Sequence, residues 1–193
     1  MTERPILFSA EMVRAILDGR KTQTRRAIKP VPTFNGGGAC HDADALQQDY
    51  VEPYWVFPET CKYGAPGDLL WVREAHAFSA NPDLRPWYRL DHPEARSSGP
   101  RVDVKWRPSI HMPRWASRIT LRITDVRVER LQDVSRQDCV AEGCAGGHGS
   151  IPGYPYSATP REHFHHLWNT INGAGAWDAN PWVWVLSFER VKP

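Results

Sequence analysis

Seventeen prolines punctuate the 193 residues of this chain and imply many punctuated loops and short elements. A proline lacks a backbone N–H and locks its own φ, so it ends or bends a helix and is confined to the edges of sheets. What lies between them is short: three helical stretches and several strands, with no strand–helix–strand alternation. That pattern predicts an α+β fold, a small mixed-sheet β-barrel with about three short helices, and not a doubly wound parallel sheet. Hydrophobic residues at 41% and charged residues at 24% are ordinary for a soluble globular protein. The length suits one domain over 1–193 with a substantial core.

Four cysteines in no tight pairing pattern point to a reduced, cytoplasmic protein. The segment Met1-Thr2-Glu3-Arg4-Pro5 lacks the basic-then-apolar layout of a secretion signal, and no apolar run reaches the roughly 20 residues that cross a bilayer. Neither a membrane nor an obligate protein partner is expected. Lys plus Arg exceed Asp plus Glu by only 24 to 22, so overall charge does not mark a nucleic-acid binder. Local clusters at Arg25-Arg26 and between Arg107 and Arg118 remain compatible with one.

The elements can be placed by periodicity and caps. Ser9 caps a first helix in which Met12, Val13, Ile16 and Leu17 share a face, and Gly19 stands at the left-handed terminator position. Lys21 to Ala27 reads as a strand or extended turn. Residues 33 to 66, with Gly36-Gly37-Gly38, Pro53 and Pro58, read as a long insertion. A turn at Pro66-Gly67-Asp68 leads into a strand over Leu69–Glu74, and apolar residues alternate again from Val102 to Trp106. The strand from Ile119 resumes as Val126–Val128 with its alternation out of phase across Thr124-Asp125, which predicts a bulge or kink there. Ser135 with Asp138, and Thr159 with Pro160 and Glu162, announce two further helix starts. Phe164, Leu167, Trp168 and Ile171 form the apolar face of the last helix. Trp182 to Phe188 is apolar enough for a central strand.

The chemistry concentrates in Gly19-Arg20-Lys21-Thr22-Gln23-Thr24-Arg25-Arg26. A lysine close to a threonine can activate the hydroxyl as a nucleophile. Arginines beside them suit a phosphate or another polar ligand. Cys139, Cys144 and His148, with Cys40, His41 or Cys61 as a fourth ligand, would make a zinc set. Their spacing matches no compact zinc motif and Cys139 falls at an apolar helix position, so no metal is expected. His163, His165 and His166 have no acidic partner at ligand spacing and read as surface residues.

The same octapeptide resembles the signature GxKxxExR of ASCH domains, barrels related to the PUA RNA-binding fold. Gly19, Lys21 and Arg26 match, and Thr24 stands where the signature has glutamate. In this it is similar to the ASCH proteins that act as amidohydrolases on N4-acetylcytidine, whose catalytic set is a Lys, a Thr and a Glu. The segment Leu121 to Glu142 resembles their strand-plus-helix unit, which makes Glu142 the matching carboxylate. Glu74, at the end of a strand, is the alternative. The resemblance covers about half the chain, with insertions at about 33–65 and 75–117. The layout around Trp106-Arg107-Pro108 to Trp115 resembles longer ASCH proteins of phages and prophages.

The resemblance implies a cofactor-free hydrolase acting on a modified pyrimidine nucleoside or RNA. Thr24 would attack the acyl carbonyl and Lys21, as the neutral amine, would take its proton. Glu142 would orient the amine or pass a proton to the leaving nitrogen. Arg25 and Arg26 are candidate substrate contacts, and Phe8, Trp71 and Trp115 candidate stacking surfaces. Two other readings stay open: a PUA-like RNA-binding module without catalysis, and an ASCH-type ribonuclease. One geometric demand follows. Lys21 and Thr24 are an odd number of residues apart, so a regular strand would turn them to opposite faces.

Overall fold

The computed structural model describes residues 1–28, 61–78, 85–92 and 105–191. In chain order its elements are β1 (Glu3–Leu7), α1 (Ala10–Leu17), β2 (Gln23–Ala27), β3 (Leu69–Arg73), β4 (His76–Ala77) and β5 (Trp87–Tyr88). Then follow β6 (Thr120–Arg130), α2 (Arg136–Ala141), α3 (Pro160–Asn172) and β7 (Trp182–Val191). Single 3-10 turns lie at Ser109–His111, Arg114–Ala116 and Leu131–Asp133. The glycine-rich stretch at Gly36, together with Cys40, His41 and the expected strand residues Val102 to Val104, lies outside the described residues.

The strands form a five-stranded mixed sheet in the order β1-β3-β6-β7-β2, and β4 with β5 form a small second sheet. β1 runs parallel to β3, β6 antiparallel to β3, and β2 antiparallel to β7. This is the expected α+β class with three helices. Among the described residues the sheet is open rather than closed into a barrel, with β1 and β2 at its ends. Pro5 in the middle of β1 has no N–H to offer a further strand, as suits an edge. The same proline hid β1 in the sequence. β7 is an inner strand, as its apolar run predicts.

The described residues group into two compact units, each built from separate segments. Unit one comprises 1–22, 62–124 and 188–193, and unit two comprises 23–61 and 125–187. The division within β6 falls between Thr124 and Asp125, both exposed, where the buried alternation of Leu121 and Ile123 slips to Val126. That is the position of the predicted phase change.

In unit one, Ser9 caps α1 by accepting from the Met12 N–H, and Val13, Ala15 and Ile16 are buried. The helix ends in a Schellman turn. The N–H groups of Arg20 and Gly19 bind the carbonyls of Ala15 and Ile16 at 2.8 and 3.1 Å, and Gly19 takes φ +73°. Part of the second expected insertion is regular here. Trp71 packs with Met112 and Ala116 and with the half-buried Phe78 and Tyr88, so β5 and the 3-10 turns cover one side of β3. In unit two, both expected capping boxes are present, Ser135 with Asp138 and Thr159 with Glu162. Phe164 and Trp168 join Leu131, Val134, Cys139, Cys144, Trp177, Val183 and Val185 in its core, while Ile171 of the expected apolar face stays exposed.

Candidate functional site

Lys21 belongs to unit one and lies before β2 begins. Its backbone N–H reaches back to the Ala15 carbonyl at 3.0 Å, as an extension of the α1 terminator. The strand-parity constraint therefore does not govern its direction. Its side chain is only 2% exposed, and Nζ lies 5.7 Å from the centroid of the Phe8 ring. Phe8 in turn packs on Phe188 with ring centroids 6.2 Å apart. Burying an ammonium this far costs several kcal/mol unless it is paired or functionally used.

Thr24, Arg25 and Glu142 belong to unit two. All three are buried, Thr24 at 2% and Glu142 at 3% exposure. On β2, Gln23 and Arg25 share one face, which is the face of Ala27 and of the core residues Val183 and Val185. Thr24 and Arg26 leave β2 from the other, opposite Leu186 and Trp184 of β7.

Arg25 is the hub of the first face. Its Nη1 donates to Gln23 Oε1 at 2.7 Å and to Glu142 Oε1 at 3.3 Å. Its Nε donates to Glu129 Oε1 at 3.0 Å, Nη2 makes a second, short bond to the same oxygen, and Asp138 Oδ2 lies 3.4 Å from Nη2. The guanidinium also lies 5.8 Å from the Phe164 ring centroid. Arg127 ties Glu129 and Asp138 from the side, at 3.2 and 2.9 Å. A planar fork of five donors can gather acceptors from a strand and a helix in this way. Glu142 is positioned at the end of α2, where its backbone N–H donates to the Asp138 carbonyl at 2.8 Å and the N–H of Gly143, at φ +92°, donates to the Val140 carbonyl at 2.9 Å.

Of the nine expected site residues, the structure thus brings Lys21 to Phe8 and Arg25 to Glu142. Glu74 is buried in unit one, where Arg118 grips it through two hydrogen bonds of 2.8 and 2.9 Å. Trp71 is core, with the Arg73 guanidinium 4.6 Å from its ring. Trp115 is 69% exposed and stacks on Phe78 with centroids 5.0 Å apart. Sequence reasoning missed Gln23, Arg127 and Glu129, and read Asp138 only as a helix cap. The Arg25–Glu129 and Arg25–Glu142 contacts span 104 and 117 residues, and no local pattern announces them.

Asp138 carries the clearest electrostatic signature of the group. Burial raises its carboxyl, but the Ser135 hydroxyl and the positive charge of Arg25 outweigh that and bring it down to about 2. The folded carboxyl therefore takes up a proton at lower pH than the unfolded one. Its stabilisation is complete above about pH 4 and is lost as the pH falls toward about 2. Asp138→Asn is expected to be less stable near neutrality and to flatten the acid limb of the stability curve in that window. Denaturant midpoints across this range measure it, and an unchanged acid limb would refute the assignment.

Burial pushes the Cys139 thiol up to about 11, and Cys61 and Cys144 are buried as well. Thiolates are the reactive form, so these three are expected to resist a thiol reagent until the protein unfolds. Rapid labelling of Cys139 in the native state would contradict this. Among the described residues no group of three His, Cys, Asp or Glu is placed to hold a metal ion. No helix among them is long and apolar enough to cross a membrane.

No protein-family model matches the chain, and no curated protein matches it. Two solved structures are similar to it at low identity. A protein of Enterococcus faecalis V583 from family DUF984 shares 13% identity, with 99% of this chain and 80% of that one covered and a TM-score of 0.41. An ASCH domain from Lactobacillus crispatus JV V101 shares 12% identity over 98% of this chain and 79% of that one, with a TM-score of 0.37.

Proposed function

We propose that this protein is an amidohydrolase that removes the acyl group from the exocyclic amine of N4-acetylcytidine-type nucleosides, with Lys21, Thr24 and Glu142 as its working residues. One observation carries the reading: an amine, a hydroxyl and a carboxylate that belong on a protein surface are each removed from solvent, at 2%, 2% and 3% exposure. Hydrophilic groups are held out of water at such cost mainly where chemistry or a tight network needs them.

In this reading Thr24 Oγ1 attacks the acyl carbonyl and the neutral Lys21 amine accepts its proton. The tetrahedral intermediate collapses by breaking the C–N4 bond, and the leaving amine takes the proton back. Water then attacks the acyl–threonine ester, releasing the carboxylic acid and restoring Thr24. Glu142 accepts a hydrogen bond from Arg25, which leaves β2 from the face opposite Thr24, and in this reading orients Thr24 through the strand that carries it rather than by acting on the hydroxyl itself. The test is release of cytidine and acetate from N4-acetylcytidine by the purified protein, with short RNAs assayed in parallel. Tight, salt-sensitive RNA binding with no release of acetate would replace the hydrolase by a binding module. One feature favours that second reading: Trp115 is 69% exposed and stacked on Phe78, whose ring also lies 5.1 Å from the Arg107 guanidinium.

A further inference from the structure

Unit two contains a cavity of about 590 Å³ between the start of α2, the loop that follows it and the start of α3. We propose that this cavity binds the phosphate-monoester group of a small phosphorylated molecule, gripped by Arg136 and Arg161. None of Lys21, Thr24 and Glu142 lines it, so the proposal stands apart from the hydrolase reading.

The two arginines carry charge that the fold does not neutralise. Arg161 is fixed by neutral acceptors: its Nη1 donates to the Val134 carbonyl at 2.9 Å and its Nη2 to the Gln132 carbonyl at 2.7 Å. Its guanidinium also lies 5.4 Å from the Trp177 ring centroid. Arg136 is exposed and engages no partner among the described residues. Arg25 and Arg127 of the same unit, by contrast, face carboxylates. The carboxylate next to Arg161 in sequence, Glu162, directs its oxygens to the Thr159 N–H at 2.6 Å and the Tyr154 hydroxyl at 3.2 Å instead. With Thr159 and Glu162 capping the first turn of α3, the charge of the site comes from two side chains rather than from the helix end.

The donors select the ligand. Two guanidiniums share the wall with the hydroxyls of Ser157 and Thr159. Arg161 spends two of its five N–H groups on carbonyls, and the Thr159 oxygen accepts from the Glu162 N–H, which leaves its own O–H to give. A phosphate monoester has three strong acceptor oxygens and nearly two negative charges at pH 7, which matches two cations and this surplus of donors better than a carboxylate with one charge and two oxygens. The wall is also held in place. Gly147 and Ala158 exchange backbone hydrogen bonds of 2.8 and 3.2 Å across the cavity's rim. The volume falls within the roughly 300–1,000 Å³ of small-molecule sites and far exceeds a phosphate group, so the phosphate is carried on an organic body. Ala158 and Pro160 offer that body an apolar surface.

Titration calorimetry on the full chain, with inorganic phosphate, AMP and unphosphorylated adenosine as probes, tests this. AMP is expected to bind with a Kd below about 1 mM, and adenosine at least about tenfold more weakly. Arg136→Gln is expected to weaken both AMP and inorganic phosphate by at least about tenfold with an unchanged melting midpoint, since Arg136 supports no other group. Ser157→Asp, which sets a negative charge in the wall, is expected to abolish binding of both. Arg122→Gln removes an exposed arginine of unit one, paired with Glu189 at 2.9 Å, and is expected to leave both affinities within about twofold. Wild-type affinity in Arg136→Gln or in Ser157→Asp overturns the proposal, as does no binding of either phosphate probe. Equal losses in Arg122→Gln and Arg136→Gln would reduce the effect to overall charge, and adenosine binding as tightly as AMP would remove the phosphate from recognition; either result overturns it. Displacement of AMP by single-stranded RNA lacking a terminal phosphate would overturn the monoester assignment in favour of backbone diesters.

Discussion

Thr24→Val is expected to cut hydrolysis of N4-acetylcytidine by at least roughly a thousandfold while leaving the fold in place. Valine keeps the branched shape of threonine and removes the hydroxyl, so at a site 2% exposed the lesion is chemical more than steric. The cost in stability is expected to stay near 1 kcal/mol, the net value of one hydrogen bond. Thr24→Ser, which restores a hydroxyl, is expected to recover part of the rate. Lys21→Met keeps the apolar stem and removes the amine, and its loss of kcat is expected to match that of Thr24→Val, since nucleophile and base act as one unit.

Glu142→Gln tests a different role. Glutamine can still accept the hydrogen bond from Arg25, so an orienting residue loses less activity than the nucleophile does. Normal turnover in Thr24→Val would remove Thr24 from the mechanism. A collapse of kcat in Glu74→Gln, with Glu142→Gln active, would move the catalytic carboxylate to Glu74.

Arg25→Met carries the largest expected effect on stability. The Arg25 side chain has no solvent exposure, and Glu129, Asp138 and Glu142 all direct carboxylate oxygens at it. Methionine fills much of the same space and supplies no charge, so these carboxylates lose their shared counter-ion inside unit two. Removing one partner of a buried ionic group costs about 3–5 kcal/mol, chiefly the desolvation of the charges left behind. For a chain of this length that corresponds to a fall of on the order of 10 °C in the melting midpoint. Arg25→Lys is expected to recover only part of it, because a single ammonium cannot reproduce a fork that reaches Gln23, Glu129 and Glu142 together. A melting midpoint within a degree or two of wild type would show that solvent relieves these charges without Arg25.

These two residues also show where sequence and structure divide the information. The helix starts at Ser9, Ser135 and Thr159 were legible because capping is local: the side chain and the N–H groups it satisfies are within three residues of each other. The terminator at Gly19 was legible for the same reason, since the left-handed φ that ends a helix favours glycine. The phase slip at Thr124-Asp125 could be read from alternation alone. β1 could not, because Pro5 breaks the strand signal and its parallel pairing with β3 joins residues more than sixty positions apart. Nor could the open sheet, since closure depends on which edges meet.

For the site, sequence alone determined the set of chemical groups: Lys21 and Thr24 within one turn of chain, arginines beside them, and carboxylates at Glu74 and Glu142. Only the tertiary structure decided their company. It sent Glu142 to Arg25 and Glu74 to Arg118, and it turned Thr24 to the face of β2 opposite Arg25. The physical reason is one of range. Caps, turns and strand alternation are settled by bonds between near neighbours, whereas a buried charge must find its partner wherever the fold brings one, and desolvation makes that partner, rather than the neighbour in sequence, decide the chemistry.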